Sequence, residues 1–297
     1  MQPQAQNIFH NCPVCGSEKL KDLSAFRHVY LCRCKACGFV FSRRKPSLVE
    51  LEDYYTQYTY GDHYYSSPLT LKRYKELLQS FEPYRKNNRL LDVGCGNGDF
   101  LLVAKEMGWD CVGTEFSPKA VEICKSKGLN VLQGDLKTLT DGLGAFDIIT
   151  SFEVIEHINT PANEVGLMHK HLRPGGLLYI TTPNFNSLMR ILLGQRYDAI
   201  VYPEHLSYFT PSSLNYLMNM QGFKKISIKT TGFSFSRFRN ALFSRKENPF
   251  TQDSADEQFR KMMDSGPALR AFKIFWDGLF NMTGRGLSMK GRFEKRS

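Results

Sequence analysis

The sequence predicts an α/β protein built on an open sheet with helices on both faces, preceded by a small cysteine-rich module. Two observations favour this fold class. Apolar segments typical of buried strands alternate with helix-like segments between residues 89 and 182. Ahead of them, two Cys-x-x-Cys-Gly pairs lie within the first 38 residues. A chain of 297 residues is long enough for one large domain and such an accessory module.

The composition limits the classes of partner and compartment. Lys and Arg number 39 against 29 Asp and Glu, which gives a net charge of +10. This excess favours an anionic partner such as RNA, an acidic lipid surface or a phosphate-bearing substrate, but a solvated basic surface explains it equally well. No apolar run is long enough to span a bilayer, and the first residues lack a signal-peptide pattern. We therefore expect a cytosolic protein without disulfides.

The paired cysteines predict a structural zinc site. Cys12 and Cys15 form one pair, and Cys34 and Cys37 form the other. Each pair places two thiolates on one tight turn, and two such turns supply a closed tetrahedral site of the zinc-ribbon type. Cys32 is an alternative to Cys34 that breaks the symmetry of the spacing. Redox-active thiols and unligated cysteines are the other interpretations of this pattern.

A glycine-rich turn follows the first predicted strand of the sheet. Gly94, Gly96 and Gly98 alternate with other residues, and Asp99 stands where a dinucleotide fingerprint would have its third glycine. Glycine permits the tight strand-to-helix turn and lets a ligand approach the backbone. Asp92, at the end of the strand, would repel a pyrophosphate but could hold a cationic group. The turn therefore predicts a nucleotide-type site.

Further strands place acidic residues at the same edge of the sheet. The second strand ends at Glu115, where a ribose diol would be recognised, and the third ends at Asp135, within reach of an adenine amino group. A fourth strand is predicted at 146–151, and a fifth at 176–181 after a turn at 173–176.

This succession resembles the class I S-adenosylmethionine-dependent methyltransferases. The resemblance implies a Rossmann-like seven-stranded sheet whose last two strands form an antiparallel edge, and an adenosine cofactor with a charged methionine tail. A different αβα domain with a chance glycine turn is the alternative. The residues expected to hold the cofactor are Asp92, Gly94, Cys95, Gly96, Gly98, Glu115, Phe116, Asp135 and Phe152.

The chemistry is expected after the fourth strand, in the sequence Glu-x-x-Glu-His. Two signatures of nucleobase methylation, an Asn/Asp-Pro-Pro-aromatic loop and a nucleophilic cysteine, are absent after strands four and five. Glu153, Glu156 and His157 instead resemble the motif of ubiquinone-type O-methyltransferases and of metal-dependent small-RNA 2′-O-methyltransferases. We predict these three as catalytic residues, with His157 as the general base for an acceptor hydroxyl.

A divalent cation is a second interpretation of the same residues. Glu153, Glu156 and His157 are spaced i, i+3, i+4, so one helical turn could present them together, with His205 as a fourth ligand. Bound Mg²⁺ or Mn²⁺ would lower the pKa of the acceptor hydroxyl. The simpler interpretation is that these are pocket residues without a metal.

The predicted organisation has five parts. They are a zinc ribbon at 1–46, a helical lid or linker at 47–86, the cofactor-binding core at 87–231, a helical insertion at 232–286, and a final edge strand with a basic tail at 287–297. The lid contains a helix near 69–84 and six tyrosines that could line the acceptor pocket or simply cover the sheet: Tyr54, Tyr55, Tyr58, Tyr60, Tyr64 and Tyr65.

Two segments nearer the C-terminus also have recognisable patterns. A helix is predicted to begin after Thr210 and to end at Gly222, followed by a strand at 224–231. In the insertion, Phe272, Phe275, Trp276, Leu279 and Phe280 recur at helical spacing. Such a stripe packs on the parent domain or on another subunit, or it contacts a membrane or a lipid-linked substrate.

We predict O-methylation of a small-molecule, saccharide or lipid-linked acceptor by a cytoplasmic enzyme that could lie peripheral to the membrane. One alternative is an RNA methyltransferase that uses the ribbon and the basic ends to bind RNA. Another is a cofactor-binding assembly module without catalysis.

Overall fold

A computed structural model describes residues 7–47, 49–51, 67–138, 144–232 and 267–296. The tyrosine-rich stretch of the predicted lid, residues 52–66, lies outside the described residues, as does most of the predicted insertion, residues 233–266. The strands are β1 (Leu20–Asp22), β2 (Leu31–Cys34), β3 (Val40–Ser42), β4 (Arg89–Val93), β5 (Asp110–Glu115), β6 (Val131–Gln133), β7 (Phe146–Phe152), β8 (Leu172–Pro183), β9 (Ser207–Tyr208), β10 (Phe223–Thr231) and β11 (Ser288–Lys295).

The α-helices of the described residues alternate with these strands. They are α1 (Pro68–Gln79), α2 (Asp99–Glu106), α3 (Pro118–Ser126), α4 (Pro161–His171), α5 (Leu188–Leu193), α6 (Pro211–Met220) and α7 (Pro267–Thr283). Short 3₁₀ segments cover Ser24–Val29, Glu82–Tyr84, Leu136–Thr138, Ile155–His157 and Gly194–Arg196. None of the described helices is long and apolar enough to cross a bilayer.

The central sheet has the predicted α/β architecture. In the described part of the chain it contains seven strands in the order β10–β11–β8–β7–β4–β5–β6. The five strands from β8 to β6 are parallel, whereas β11 runs antiparallel to both β8 and β10. Leu90 and Leu91 are fully buried because helices cover both faces of the sheet. The chain order reverses between β4 and β7, so a crevice opens at their carboxyl ends.

Asp147 anchors the segment that leads into β4. It is completely buried inside the apolar strand β7. Its Oδ2 accepts hydrogen bonds from the backbone N–H groups of Lys86, Asn87 and Arg89, and the Arg173 guanidinium donates to its Oδ1. Burial alone would raise the pKa of Asp147, but these donors lower it below the usual value. The ionised carboxylate thereby fixes the entry to the strand that carries the glycine turn.

Two later predictions are confirmed, and one is wrong. Thr210 caps α6 through a reciprocal capping box, and Gly222 follows that helix with a φ of +84°. The separate turn predicted at 173–176 is instead part of β8. The pairing register of β8 against β7 shifts there, and Gly175 takes a φ of +68° to accommodate the irregularity.

Helix α7 covers the outer edge formed by β10 and β11. The Asp277 carboxylate accepts a hydrogen bond from the backbone N–H of Gly232, and Asn281 Oδ1 accepts one from that of Thr230. The Thr230 hydroxyl also donates to the carbonyl of Phe280, whose side chain is buried. These contacts attach the described end of the predicted insertion to the sheet close to the carboxyl end of β8.

The cysteine-rich module is joined to the core by sheet pairing. β9, which follows β8 in the core segment, pairs antiparallel with β3 and extends the small sheet β1–β2–β3. The Phe39 and Phe209 rings lie 5.0 Å apart across this junction. Both are fully buried and belong to one hydrophobic cluster that continues into the central sheet. The ribbon and the core therefore share apolar packing as well as backbone hydrogen bonds.

Candidate active site

A cavity of about 1070 Å³ lies at the carboxyl ends of the parallel strands, where the chain order reverses. Ten of the site residues predicted from the sequence line this cavity: Asp92, Gly94, Cys95, Gly96, Glu115, Phe116, Asp135, Phe152, Glu153 and His157. Gly98, Glu156 and His205 are not among the lining residues. The residues predicted from the sequence therefore locate the cavity, although not all of them face it.

The glycine turn forms the floor of the cavity. Gly94, Gly96 and Gly98 have φ angles of +70°, +54° and +76°, a region that side-chain-bearing residues rarely adopt. A Cβ on Gly94 would lie 2.5 Å from a methyl group of Val154, so a side chain there would force Val154 to move. A Cβ on Gly96 would meet nothing within 4 Å. Gly96 therefore leaves space beside the backbone that a ligand can occupy.

Asp92 is a buried acid at the end of β4. Its side chain is 1 % exposed, and its Oδ1 accepts a hydrogen bond of 2.7 Å from the Thr150 hydroxyl. Burial raises the pKa of Asp92 from 3.8 to about 7; the Thr150 hydrogen bond opposes this rise and the charge of Glu115 adds to it. A carboxyl in this environment gains from a cationic ligand, because the positive charge stabilises its ionised form.

Glu115 links two loops of the cavity by hydrogen bonds. Its Oε2 accepts the backbone N–H of Gly96 at 2.9 Å, and its Oε1 accepts that of Ser117 at the same distance. Each carboxylate oxygen has capacity for a second hydrogen bond. The side chain thus stabilises the shape of the glycine turn and still offers acceptors to a diol. The sequence predicted the second role but gave no sign of the first.

The far end of the cavity, beyond β5 and β6, carries an aromatic ring and two acids. Phe116 is 62 % exposed beside Asp135, whose Oδ1 accepts the backbone N–H of Lys137. Glu164, on α4, also lines the cavity although the sequence did not single it out. Burial, reinforced by the charge of Asp135, raises the pKa of Glu164 to about 7. An acidic residue on an amphipathic helix carries no local signal that it will face a pocket.

An aromatic cluster closes the side of the cavity next to α1. The Phe152 ring lies 4.9 Å from that of Phe100, 6.1 Å from Tyr74 and 5.7 Å from Tyr179. Tyr74 belongs to the predicted lid helix, which is confirmed as α1. Together these rings exclude water from one wall of the cavity.

Glu153 departs from the geometry that the sequence predicted. The expected single helical turn is wrong, because the 3₁₀ segment begins only at Ile155 and Glu153 has a φ of +52°. Its backbone N–H donates to the carbonyl and the hydroxyl of Thr181 on β8. Left-handed backbone in a non-glycine residue costs about 1–2 kcal/mol and is often found at functional sites. It turns Glu153 towards Ser288, whose hydroxyl lies 3.4 Å from Glu153 Oε1.

The other members of the motif form a compact cluster with a distant histidine. Ligand atoms of Glu156, His157 and His205 all lie within 4.8 Å of one another. Glu156 is 2 % exposed and accepts a hydrogen bond from the Thr182 hydroxyl. Burial, and then the charge of Glu153, raises the pKa of Glu156 well above its usual value. A cation bound beside this carboxyl would stabilise its ionised form and offset the effect of burial.

Both histidines are held by backbone carbonyls. His157 Nδ1 lies 2.8 Å from the carbonyl oxygen of Glu204, and His205 Nδ1 lies 2.7 Å from that of Ala199. Because a carbonyl can only accept, each Nδ1 carries a proton and donates it to that carbonyl. Burial, together with the nearby His205, lowers the pKa of His157 to about 4. The imidazole is therefore neutral at physiological pH.

The four paired cysteines converge as the spacing predicted. The Sγ atoms of Cys12 and Cys37 lie 3.6 Å apart, as do those of Cys15 and Cys34, and all four lie within 4.8 Å. Tetrahedral zinc with Zn–S bonds of about 2.3 Å separates its sulfur ligands by about 3.8 Å, so this donor set fits the ion. Cys32 lies outside the cluster, and burial raises the pKa of its thiol to about 12.

A family model described as a methyltransferase domain matches residues 63–228. This span is more than half of the chain and includes the cavity and the motif after β7. The chain belongs to this methyltransferase family. It is a class I S-adenosylmethionine-dependent methyltransferase, as the resemblance of its strand order and glycine turn implied.

Individual relatives support the same family. A ubiquinone biosynthesis O-methyltransferase of Coxiella burnetii is 26 % identical over 167 residues, which span 52 % of this chain and 70 % of that protein. A methyltransferase of Archaeoglobus fulgidus has a TM-score of 0.50 at 21 % identity, over 76 % of this chain and 94 % of that one. The [4+2]-cyclase SpnF has a TM-score of 0.51 at 19 % identity, over 80 % and 85 % of the two chains. Since SpnF is named for a different reaction, these structural likenesses establish the fold alone.

Proposed function

We propose that this methyltransferase transfers the methyl group of S-adenosylmethionine to a hydroxyl of a small-molecule, saccharide or lipid-linked acceptor. The observation that carries the proposal is the neutral His157, which lines the cavity and whose Nδ1 is held by the Glu204 carbonyl. An imidazole in this state can accept the proton of a hydroxyl. The name of the Coxiella relative, an O-methyltransferase, supports the same acceptor atom.

The proposed cofactor site follows the cavity wall. Gly94, Cys95, Gly96 and Gly98 shape a turn against which the cofactor backbone can lie, and Asp92 offsets its positive charge. Glu115 binds the ribose diol, while Asp135 and Phe116 bind and cover the adenine; Phe152 closes the opposite side. When bound, S-adenosylmethionine supplies an electrophilic methyl group on a sulfonium. The protein mainly has to align the acceptor with that methyl and remove its proton.

Two routes to proton removal are consistent with the residues around His157. In the first, His157 is the general base, and Glu153 and Glu156 orient the acceptor and the strand end. In the second, Glu156, His157 and His205 bind a divalent cation such as Mg²⁺ or Mn²⁺, with Glu153 close by. The histidine geometry favours testing this route, because metal-binding histidines typically donate their second N–H to a backbone carbonyl. Such an ion would lower the pKa of an acceptor hydroxyl.

We further propose that Cys12, Cys15, Cys34 and Cys37 bind one structural zinc ion. The four sulfurs match a closed tetrahedral site, which leaves no coordination position for catalysis. A module of about forty residues buries too little apolar surface to be stable without such a link or a partner domain. The zinc therefore holds the ribbon in the shape that pairs with β9.

Exposed apolar residues support a lipid-linked acceptor or contact with a membrane surface. Ile274, Phe275 and Met282 on α7 are 72 %, 67 % and 80 % exposed, and all three fall on one face of the helix. That helix lies beside the carboxyl end of β8, next to the catalytic cavity. An interfacial helix of this kind binds lipid through its apolar face.

The test uses S-adenosylmethionine carrying a labelled methyl group, with nucleotide sugars, quinols and RNA as acceptors. We expect label in an O-methyl ether of a saccharide or quinol, and at least about 100-fold less with His157→Ala, given the usual contribution of a general base. Addition of EDTA and then Mg²⁺ or Mn²⁺ separates the two routes. Activity that resists chelation excludes the metal, and label in RNA alone would overturn the small-molecule assignment.

A further inference from the structure

Three arginines from distant parts of the sequence lie close enough together for their charges to interact at Arg190. Arg33 lies on β2 of the ribbon, Arg190 on α5, and Arg285 just before β11. Arg33 points to the same side of β2 as Leu31, which packs in one cluster with Met189, the neighbour of Arg190. The carbonyl of Arg285 accepts the backbone N–H of Leu188, at the start of the same helix.

Among the described residues, none of the three guanidinium groups forms an ion pair with a carboxylate. Arg285 donates to the carbonyl and the side-chain oxygen of Asn186. Arg190 stacks on the Phe185 ring at 4.5 Å, and its Nε is buried without a hydrogen-bond partner in the described structure. Burial, and then the charges of Arg33 and Arg285, lower the pKa of Arg190. A group of positive charges without a carboxylate partner favours the binding of an anion.

We infer that Arg33, Arg190 and Arg285 bind the phosphate or diphosphate group of the methyl acceptor. Guanidinium groups suit this role because their paired N–H donors match the geometry of phosphate oxygens. This inference rests on the proposed function, because it specifies the class of methyl acceptor. That class is a phosphorylated or diphosphate-linked saccharide or alcohol.

The distance to the catalytic cavity fits such an acceptor. Arg285 lies three residues before Ser288, so their Cα atoms are at most about 11 Å apart. The Ser288 hydroxyl in turn lies 3.4 Å from Glu153, at the cavity wall. A sugar ring spans several ångströms, so its phosphate can lie at the arginines while a hydroxyl enters the cavity. The ribbon thereby gains a direct role, since it contributes Arg33 to the acceptor site.

The proposal is tested by calorimetric titration of the full-length protein with inorganic pyrophosphate and with uridine diphosphate. We expect binding by the wild type and an affinity at least about tenfold lower in Arg33→Gln and in Arg190→Gln. Arg33→Lys, which keeps the charge but loses the paired donors, should fall between them and the wild type. Lys225→Gln on β10 removes an exposed charge elsewhere and should bind as the wild type does.

Three results would overturn the site. The first is that the wild type binds neither anion. The second is that Lys225→Gln and Arg33→Gln lose anion affinity equally. The third is that the protein binds only phosphatidylglycerol vesicles, which would assign the arginines to a membrane surface. Arg33 is exposed, so its variant remains informative if Arg190→Gln does not fold. Titration of the same proteins with S-adenosylmethionine separates this test from the proposed function. All variants should bind the cofactor as the wild type does, and a wild type that does not bind it would refute the function but not the anion site.

Discussion

Replacement of Asp92 by asparagine is expected to stabilise the unliganded protein at pH 8 while weakening its binding of S-adenosylmethionine. Asp92 is almost completely buried and accepts one hydrogen bond, from the Thr150 hydroxyl. An asparagine has the same shape and can accept that bond through its side-chain carbonyl. The substitution therefore removes the ionisable group with little change in packing.

The magnitude follows from the pKa of Asp92, which burial raises from 3.8 to about 7. Because the folded protein holds this proton more tightly than the unfolded chain, the stabilisation is complete below about pH 4 and is lost as the pH rises through 7. The full loss is about 4 kcal/mol at pH 8, of which about 3 kcal/mol falls between pH 5 and pH 8. A neutral asparagine does not suffer this loss.

The assay is thermal unfolding of both proteins, followed by circular dichroism at pH 5 and pH 8. The melting temperature of Asp92→Asn relative to wild type should rise by about 5 °C more at pH 8 than at pH 5, at about 2 °C per kcal/mol. Asp147→Asn is the matched control with the opposite sign, since donors lower the pKa of that carboxylate. It should melt below the wild type at pH 8.

Cofactor affinity completes this test. At pH 8 the variant should bind S-adenosylmethionine at least about tenfold more weakly, because a neutral amide cannot offset the positive charge of the ligand. The wild-type affinity should also fall as the pH drops below 7, and the fall should be smaller in the variant, where Glu164 but not residue 92 still titrates in this range. An Asp92→Asn protein that melts below wild type at pH 8, or shows the same difference at both pH values, would refute the reasoning.

Three further predictions concern the turn, the ribbon and the buried acid. Gly96→Ala should fold at a cost of about 1 kcal/mol but lose cofactor binding in calorimetry. Gly94→Ala should melt at a lower temperature than Gly96→Ala, because its Cβ would also force Val154 to move. Equal melting temperatures of the two variants would count against this turn geometry. Elemental analysis should find one zinc per chain, lost in Cys37→Ser and retained in Cys32→Ser, and retention in both would remove the site. Glu156→Gln should unfold at the same temperature or higher but lose any stimulation by Mg²⁺ or Mn²⁺; stimulation that persists would exclude this carboxyl as a ligand.

The features that were predicted correctly from the sequence are those that a local sequence pattern determines. Strand and helix positions follow from apolar periodicity, and the turn at Gly94–Gly98 follows from a need for positive φ that glycine alone meets cheaply. The Cys12–Cys15 pair is equally local, because its two ligands lie on one turn. These local patterns are sufficient to locate the glycine-turn end of the cavity from the sequence.

What the sequence could not predict depends on contacts between distant segments. Glu153 leaves the expected helix because its backbone bonds to Thr181 on the neighbouring strand, not because of its own neighbours in sequence. The pairing of β9 with the ribbon joins segments about 165 residues apart, and a two-residue strand has no recognisable pattern of its own. The approach of Arg33 to Arg190 depends on that pairing.

Calorimetric titration of the wild type with S-adenosylmethionine at pH 8 tests the central claim most directly, namely that the glycine turn and the acids around it hold this cofactor. We expect one molecule bound per chain, with the heat of binding abolished in Gly96→Ala. Absence of binding by a folded wild-type protein, or undiminished binding by Gly96→Ala, would contradict the account.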